Sequence, residues 1–524
     1  MSLPTQNRPP IFALCVAGYG AVVGSLFPVV ALISIADVAG GLGISADDAA
    51  LVGTVHNLGS IAGVLATPLS FFGVGRGRTL AVMSTGFVVS SALCAIVADL
   101  DAMLVARALQ GFFDAAMPLM FMLLVMTSLK PGAGRFEGIT MVGTSTSLFF
   151  GAAALIGGLL VDHLGWQALF WAQALLGLPY CFATHFLLRH EKGRPELLAD
   201  FDWSSYLLLV LGLSMLLFAV SEGERHFWLE AWWVPALSLG GLILVVSSYV
   251  GLIQHGRPLL FLQVFRRPTF TWGIVLSLFF GFGQMFALYT VPSYLGRLQG
   301  YRPLDTGSIL LFMIPAAASA LGLSYWWSRR HDGRWLLSAG LASFAVAAGL
   351  CMGLDPTWAA EQLRWGALAA GAGMGFFSIA ILRFVVHDAT PQDGPTVGMI
   401  LNLTRIFSLG IGTAIVSHIV VEREKLHSAR LVEAVSTTSP ETMRRLGQFS
   451  GNLARLTTDP QAAHAAAVAA LGKTTSNQAF TLAFGDAFLV TTIVLALGAI
   501  LVWALPAVPA DKPAPDPRAP RTNP

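Results

Sequence analysis

Charge is what this chain has least of. Of its 524 residues only 11% are Asp, Glu, Lys or Arg, against 55% hydrophobic, and the mean hydropathy is +0.69. A soluble domain carries roughly a quarter charged residues, so that scarcity excludes an ordinary soluble protein. The charges nearly cancel, leaving a formal +2, and no nucleic-acid partner is expected from so weak a balance. Cysteine is scarce too: Cys15, Cys94, Cys181 and Cys351 stand singly inside apolar runs. With no C-x-x-C pair and no metal-ligand spacing, they exclude a zinc site or disulfide framework and read as small packing residues. No P-loop, H-E-x-x-H or nucleophile elbow occurs, so ATP-driven transport and enzymatic catalysis have no support, and no cofactor or metal is expected.

What fills the chain instead is a succession of apolar runs, each of about 20 residues and able to cross roughly 30 Å of hydrocarbon as a helix. The lipid bilayer is therefore the surrounding solvent. The runs predict an all-α membrane protein of about fourteen spans, near 11–35, 49–72, 79–98, 102–127, 138–161, 166–188 and 203–220, then 231–253, 270–294, 306–327, 335–353, 365–387, 396–419 and 483–505. Residues 1–10 are polar and lead into a retained first span, since no cleavage site follows it. Arg and Lys fall on alternate loops, at Arg76 and Arg78, Lys130 and Arg135, Arg189 to Arg194, Arg257 to Arg267, and Arg329 to Arg334. Asp47, Asp48, Asp99, Asp101, Glu222 and Glu224 occupy the loops between. The positive-inside rule then expects the arginine loops and both termini in the cytoplasm.

Two stretches are too polar or too Pro-rich to insert. Residues 421–480 have helical spacing and are expected as a small extramembrane helical element on the outer side. Residues 506–524 are Pro-rich and are expected as a disordered cytoplasmic tail. The loop Gly75-Arg76-Gly77-Arg78-Thr79-Leu80 is echoed by Arg329-Arg330-His331-Asp332-Gly333-Arg334-Trp335-Leu336, each with Gly-Arg before a long apolar helix. Parallel halves of this kind, with a substrate site between them, are a recurrent transporter plan. The expected organisation is a six-helix bundle over 11–188, a linker with two extra helices over 189–260, and a second six-helix bundle over 261–505.

Specific stretches resemble a known family. Arg107-Ala108-Leu109-Gln110-Gly111 resembles the R-x-x-Q-G motif of the major facilitator superfamily, and Gly157-Gly158 before Trp166 resembles its fifth-span antiporter motif. Phe201-Asp202-Trp203, Pro292-Ser293-Tyr294-Leu295, Asn402-Leu403-Thr404-Arg405, His427-Ser428-Ala429-Arg430-Leu431 and Phe484-Gly485-Asp486-Ala487-Phe488 are similar to fourteen-span drug exporters of the EmrB/QacA type, with the EmrB-like branch fitting best. The resemblance runs from about span two to span fourteen. It implies the major facilitator fold with two extra helices, and an inner-membrane exporter of drugs or amphipathic small molecules that exchanges them for protons. It also implies conformational roles for Gly75, Arg76, Gly77, Arg78, Gly157 and Gly158, and partnership with a periplasmic adaptor and an outer-membrane channel.

The family usually carries an acid early in span one, whereas Gly24-Ser25-Leu26-Phe27-Pro28 has none. Ionisable groups at membrane depth face a bundle interior or wet cavity, usually for a functional reason. Asp114 and Arg107, seven residues apart in span four, share a helix face but lie about 10 Å apart along it, so each needs another partner. Asp114 is the candidate for the vacant proton-carrying role; a static polar pair that fixes helix packing is the alternative. His56 is a second proton-coupling candidate, since imidazole titrates near neutral pH, and Asn57 beside it, with Gln110, Gln284, Asn402 and Arg405, is a candidate cavity residue. A packing histidine is the alternative for His56. Arg405 and Arg383 could hold an anionic substrate or snorkel to the cytoplasmic face, the default for Arg383. Gln284 sits among Phe279, Phe280, Phe282 and Phe286, which suit either an amphipathic ligand or lipid and core packing. Gly366, Gly371, Gly373 and Gly375 permit close helix contact. Two functions remain: a proton-coupled exporter, or a transporter-like protein that binds a ligand or passes it passively.

Overall fold

The computed structural model describes residues 11–129, 132–187, 193–199, 201–254, 262–387, 389–390, 393–435, 439–453 and 459–507. The expected N-terminal segment 1–10, the tail beyond 507, and Lys130, Arg189, Lys192 and Arg257 lie outside the described residues.

Among the described residues there is no strand. The bundle helices are α1 Ile11–Ile33, α2 Ala46–Gly73, α3 Arg76–Ile96, α4 Leu100–Ser128, α5 Gly134–Leu164, α6 Gln167–Leu187, α7 Trp203–Glu222, α8 Trp233–Gln254, α9 Pro268–Gln299, α10 Pro303–Ser328, α11 Arg334–Gly349, α12 Ala360–Val386, α13 Gly394–Ala434 and α14 Gln461–Ala504. Twelve of them are long and apolar enough to cross a bilayer by themselves. The others, α6 and the 16-residue α11, pack inside the same bundle, α6 against α3 and α1, α11 against α12 and α14. An expected count of about fourteen spans is compatible with this arrangement, and the chain is a multi-pass membrane protein.

Local chemistry sets the helix limits. Ser45 and Asp99 cap α2 and α4 by accepting from the backbone N–H of Asp48 and Ala102, which satisfies donors that the first turn leaves unpaired. Gly75, at φ 109°, makes the sharp turn from α2 into α3, a conformation that an L side chain resists. In hydrocarbon the helical ladder is obligatory, because no water is present to satisfy loose backbone groups.

Depth in the bundle follows position. In α4 and α12, 78% of the best apolar window is buried, but in α8 only 17%, so α4 and α12 form the centre and α8 meets lipid. Helices α7 and α8 pair with each other, and α7 leans on α2 and α13. The first six helices contact the last six along two seams: α2 and α4 against α13, and α5 against α10 and α12.

The described parts of the 421–480 segment are mostly helical and are not a separate body. Helix α13 runs unbroken for 41 residues and α14 for 44, each about 60 Å at 1.5 Å per residue, twice the hydrocarbon thickness. Extending an existing helix is easier than nucleating a new one, so the Ala-rich sequence prolongs both spans. The short helix Pro440–Leu453 packs on α14. Asp486 of α14 pins the base of this extension to α13, with His427 Nε2 at 2.9 Å and Arg423 Nε at 3.2 Å.

Candidate substrate and proton site

Glycines bring α2 and α4 into backbone contact. A Cβ on Gly59 would overlap the Ala108 carbonyl, one on Gly63 the Phe112 carbonyl, and one on Gly111 the His56 carbonyl. This approach carries the His56 imidazole to the Asp114 carboxylate, Nε2 to Oδ2 3.5 Å, with both side chains almost wholly buried. Neither His56 Nδ1 nor Asp114 Oδ2 has a hydrogen-bond partner among the described residues. Pro118 explains the local backbone: it has no N–H to give the Asp114 carbonyl four residues back, and α4 breaks at Ala115.

Arg107 does not pair with Asp114, in keeping with their spacing. Its guanidinium donates to Gln110 Oε1 and to the Val52 carbonyl (3.5 Å), and lies 5.7 Å from the Phe170 ring centroid. Gln110 Nε2 donates in turn to Ser91 Oγ (2.8 Å) and Gln173 Oε1 (2.7 Å). The knot joins α2, α3, α4 and α6 through fully buried polar groups, which rigidify a core when satisfied. Gln110, expected in the substrate cavity, is therefore part of this knot, and Asn57 is half-buried on α2 without lining the cavity.

The cavity lies where the first and last six helices meet. It measures about 110 Å³ and is lined from α4, α5, α9, α12 and α13. Arg405, Asn402 and Gln284 all line it, with Phe280, Pro118 and Met122. Because Pro118 is one turn from Asp114 on the same face of α4, the carboxylate sits just past one end of the cavity. Among the described residues Arg405 faces it with a single weak contact, Nη1 to Ser25 Oγ at 3.5 Å, and no carboxylate within ion-pair distance. Gln284 places Nε2 3.7 Å from Met374 Sδ and leaves Oε1 without a partner; α9 widens into a π-turn immediately after it, at Phe286–Thr290. Such turns interrupt the regular ladder and cluster at functional sites. The space holds several waters but is smaller than a drug-sized ligand requires.

Residues 12–413 match the family model described as Major Facilitator Superfamily. The chain belongs to the Major Facilitator Superfamily. It is therefore a membrane transporter and not an enzyme. Among curated relatives it is 23% identical over 515 residues to the colistin resistance protein EmrB of Acinetobacter baumannii, covering 95% of this chain and 96% of that one. It is 22% identical to the fatty acid resistance protein FarB of Neisseria gonorrhoeae, covering 90% and 92%. It is 21% identical to the multidrug export protein EmrB of Escherichia coli K12, covering 80% and 82%. Among solved structures, the proton:xylose symporter XylE superposes with a TM-score of 0.59 at 11% identity, covering 96% of this chain and 97% of that one. A bacterial homolog of the human lysosomal transporter Spinster gives 0.54 at 12%, covering 98% and 100%. These likenesses show the superfamily fold.

Of the motif residues, Gly158 lies on a seam between the two groups of helices and Gly157 lies beside it. Gly157 packs on the end of α1 at Ser34 and Val30, and Gly158 meets the Leu304 backbone at the start of α10. Beside them Arg302 bridges the two groups of helices, reaching Asp37 after α1 at 3.1 Å and Asp162 of α5 at 2.8 Å. At the opposite end, Arg329 after α10 pairs with Glu137 of α5 at 3.2 Å. Gly75 and Gly77 shape the turn into α3; Arg76 reaches Ser128 at the end of α4 (3.4 Å), and Arg78 points outward. Arg383 does not snorkel to water: it is buried, donates to the Ser328 carbonyl and lies over the Phe136 ring. The C-terminal end of α10 presents unpaired carbonyls that attract a cation, which keeps the guanidinium inside. In α12, Gly371 and Gly375 touch the α10 backbone at Met313 and Ala317.

Sequence reasoning missed three elements at the cavity and the seams. Pro118 was visible as a proline inside an apolar run. The Arg302 bridge left no local signal, because its partners are 265 residues away at Asp37 and 140 at Asp162. The Ser147–Ser378 hydrogen bond (2.6 Å), which joins α5 to α12 at the cavity wall, left none either.

Proposed function

We propose that this protein is a proton-driven exporter of amphipathic small molecules across the inner membrane, with Asp114 as its proton carrier and the cavity at Arg405, Asn402 and Gln284 as its substrate site. The observation that carries the reading is the Asp114 carboxylate: buried at depth, beside the His56 imidazole, and one helical turn from the cavity wall. An ionisable group in that position is costly unless it has work to do. His56 accepts or returns the proton, while Arg107 and Gln110 hold the geometry of α4. The relatives' names, resistance to colistin and fatty acids and multidrug export, support amphipathic cargo.

In this reading residues 11–188 and 261–505 are the moving halves, 189–260 carries the two extra helices, and both termini are cytoplasmic. The substrate meets the halves at their shared cavity. Breaking the Arg302 bridge opens one end and breaking the Arg329–Glu137 pair opens the other, so the two ion pairs alternate. The long extension of α13 and α14 docks a periplasmic adaptor that connects to an outer-membrane channel.

Efflux of a fluorescent dye from cells, with and without a protonophore, tests the energy source. Dye release that is insensitive to the protonophore favours the second reading, a ligand-binding or passive facilitator, which the acid-free stretch Gly24 to Pro28 supports. Removing residues 430–475 should abolish co-purification of an adaptor, and retained co-purification would leave the extension as a helical lid.

A further inference from the structure

We propose that the cavity selects amphipathic organic anions, with Arg405 receiving the substrate's carboxylate. The inference rests on the exporter reading above and deepens it by naming the substrate class. Among the described lining residues Arg405 is the sole ionisable group. The rest divide into hydroxyls and amides near it, such as Asn402 and Ser408, and apolar surface at Phe280, Met122 and Ile381.

A guanidinium at this depth is normally paired or bonded to several carbonyls. Arg107 and Arg383 each have a close acceptor, the Gln110 amide oxygen for Arg107 and the Ser328 carbonyl for Arg383. Arg405 does not: among the described residues its one hydrogen bond, at 3.5 Å to the Ser25 hydroxyl, is at the limit of a real contact. Four of its five donors remain for a ligand. The second observation is Gln284, which is buried, lines the same cavity and has, among the described residues, only a thioether sulfur within reach. Either end of that amide can turn to the cavity, so its N–H groups can join Arg405 around a carboxylate. A planar guanidinium with a fork of donors matches a carboxylate in two parallel bonds. Phe280, whose ring stacks on the buried Phe377 with centroids 4.7 Å apart, adds a held aromatic ring to the lining for the apolar part of the molecule.

Asp114 is near enough to act electrostatically on Arg405 but forms no contact with it. Proton and anion therefore occupy separate positions, and their exchange is coupled through the movement of the halves, not through competition for one group. Export of an anion is additionally favoured by a negative interior potential.

The test is isothermal titration of the full chain in phosphatidylcholine nanodiscs, where no anionic headgroup competes. Three ligands share one ring system: naphthalene-2-carboxylate, its neutral amide, and naphthalen-2-ylmethylammonium. The carboxylate should bind about tenfold or more tighter than the amide, the scale of a hydrogen bond to a charged group, with the ammonium weakest. Arg405→Gln should bring the carboxylate to the level of the amide, and Arg405→Lys, which keeps the charge, should retain a preference. Equal binding of amide and carboxylate, or an unchanged preference in Arg405→Gln, overturns the anion assignment and leaves the exporter reading standing. Binding of none of the three overturns both.

Discussion

Replacing Asp114 with Asn removes one titratable proton site while keeping nearly the same shape beside His56. Among the described residues Asp114 Oδ2 makes no hydrogen bond and only faces His56 Nε2 at 3.5 Å, a contact that the near-isosteric amide can keep, and the Arg107–Gln110 knot that organises α4 is untouched. The variant should therefore fold and melt like the wild type. In proteoliposomes with the membrane potential clamped at zero, a pH gradient of one unit stores about 1.36 kcal/mol per proton, which is tenfold in an equilibrium ratio. With a single carboxyl carrying one proton per cycle, the wild type should accumulate substrate about tenfold against its gradient. The Asp114→Asn variant should reach a ratio of about one while still exchanging labelled for unlabelled substrate, because the cavity residues remain. Gradient-driven accumulation that survives in Asp114→Asn would refute the assignment of the carrier.

Gly63→Val should lower the melting temperature measured by fluorescence-detected size exclusion, since the new side chain meets the rigid Phe112 backbone and overpacking costs about 1–3 kcal/mol; an unchanged melt would contradict the α2–α4 contact. Arg302→Ala should raise the thiol-labelling rate of a Ser34→Cys probe, because Ser34 is buried next to the bridged end. Half-exposed pairs contribute about 1 kcal/mol at most, so the increase should be up to about fivefold and should be mimicked by high salt. Burial opposes ionisation of Asp393, but hydrogen bonds from Thr390 and Arg267 outweigh it and hold this carboxyl below the ordinary carboxylate range. A lowered folded-state pKa adds stability above the unfolded value of about 3.9 that is lost as pH falls further. The stability gap between wild type and Asp393→Asn should therefore be flat across neutral pH and close only in strong acid.

Much of the architecture could be read from the chain before any coordinates. Spans are local quantities: a run of apolar residues either reaches across hydrocarbon or does not, and a pairing of helices is not needed to know it. Two of the expected spans are helices too short or too diluted to cross by themselves, α11 with 16 residues and α6 with Gln167 and Gln173, and there packing against neighbours supplies what hydropathy lacks. The 421–480 segment was legible as helix, but not as a continuation of α13 and α14, because composition reports polarity and says nothing about where a helix ends. Arg383 shows the same limit: nearness to a loop suggested water, and the α10 carbonyl that holds it belongs to a residue 55 positions away.

The site divides in the same way. Sequence by itself determined which residues are chemically unusual for hydrocarbon, Asp114, Arg107, His56 and Arg405 among them, because the bilayer penalises charge wherever it sits. It also determined that Arg107 and Asp114 cannot meet, since helical rise is the same everywhere. Only the tertiary structure decided that glycine contacts press His56 onto Asp114, that Gln110 serves the Arg107 knot while Gln284 serves the cavity, and that Arg405 is left without an acid. Those outcomes depend on which helix faces which, set by packing between segments hundreds of residues apart, and no local property of a single helix encodes them.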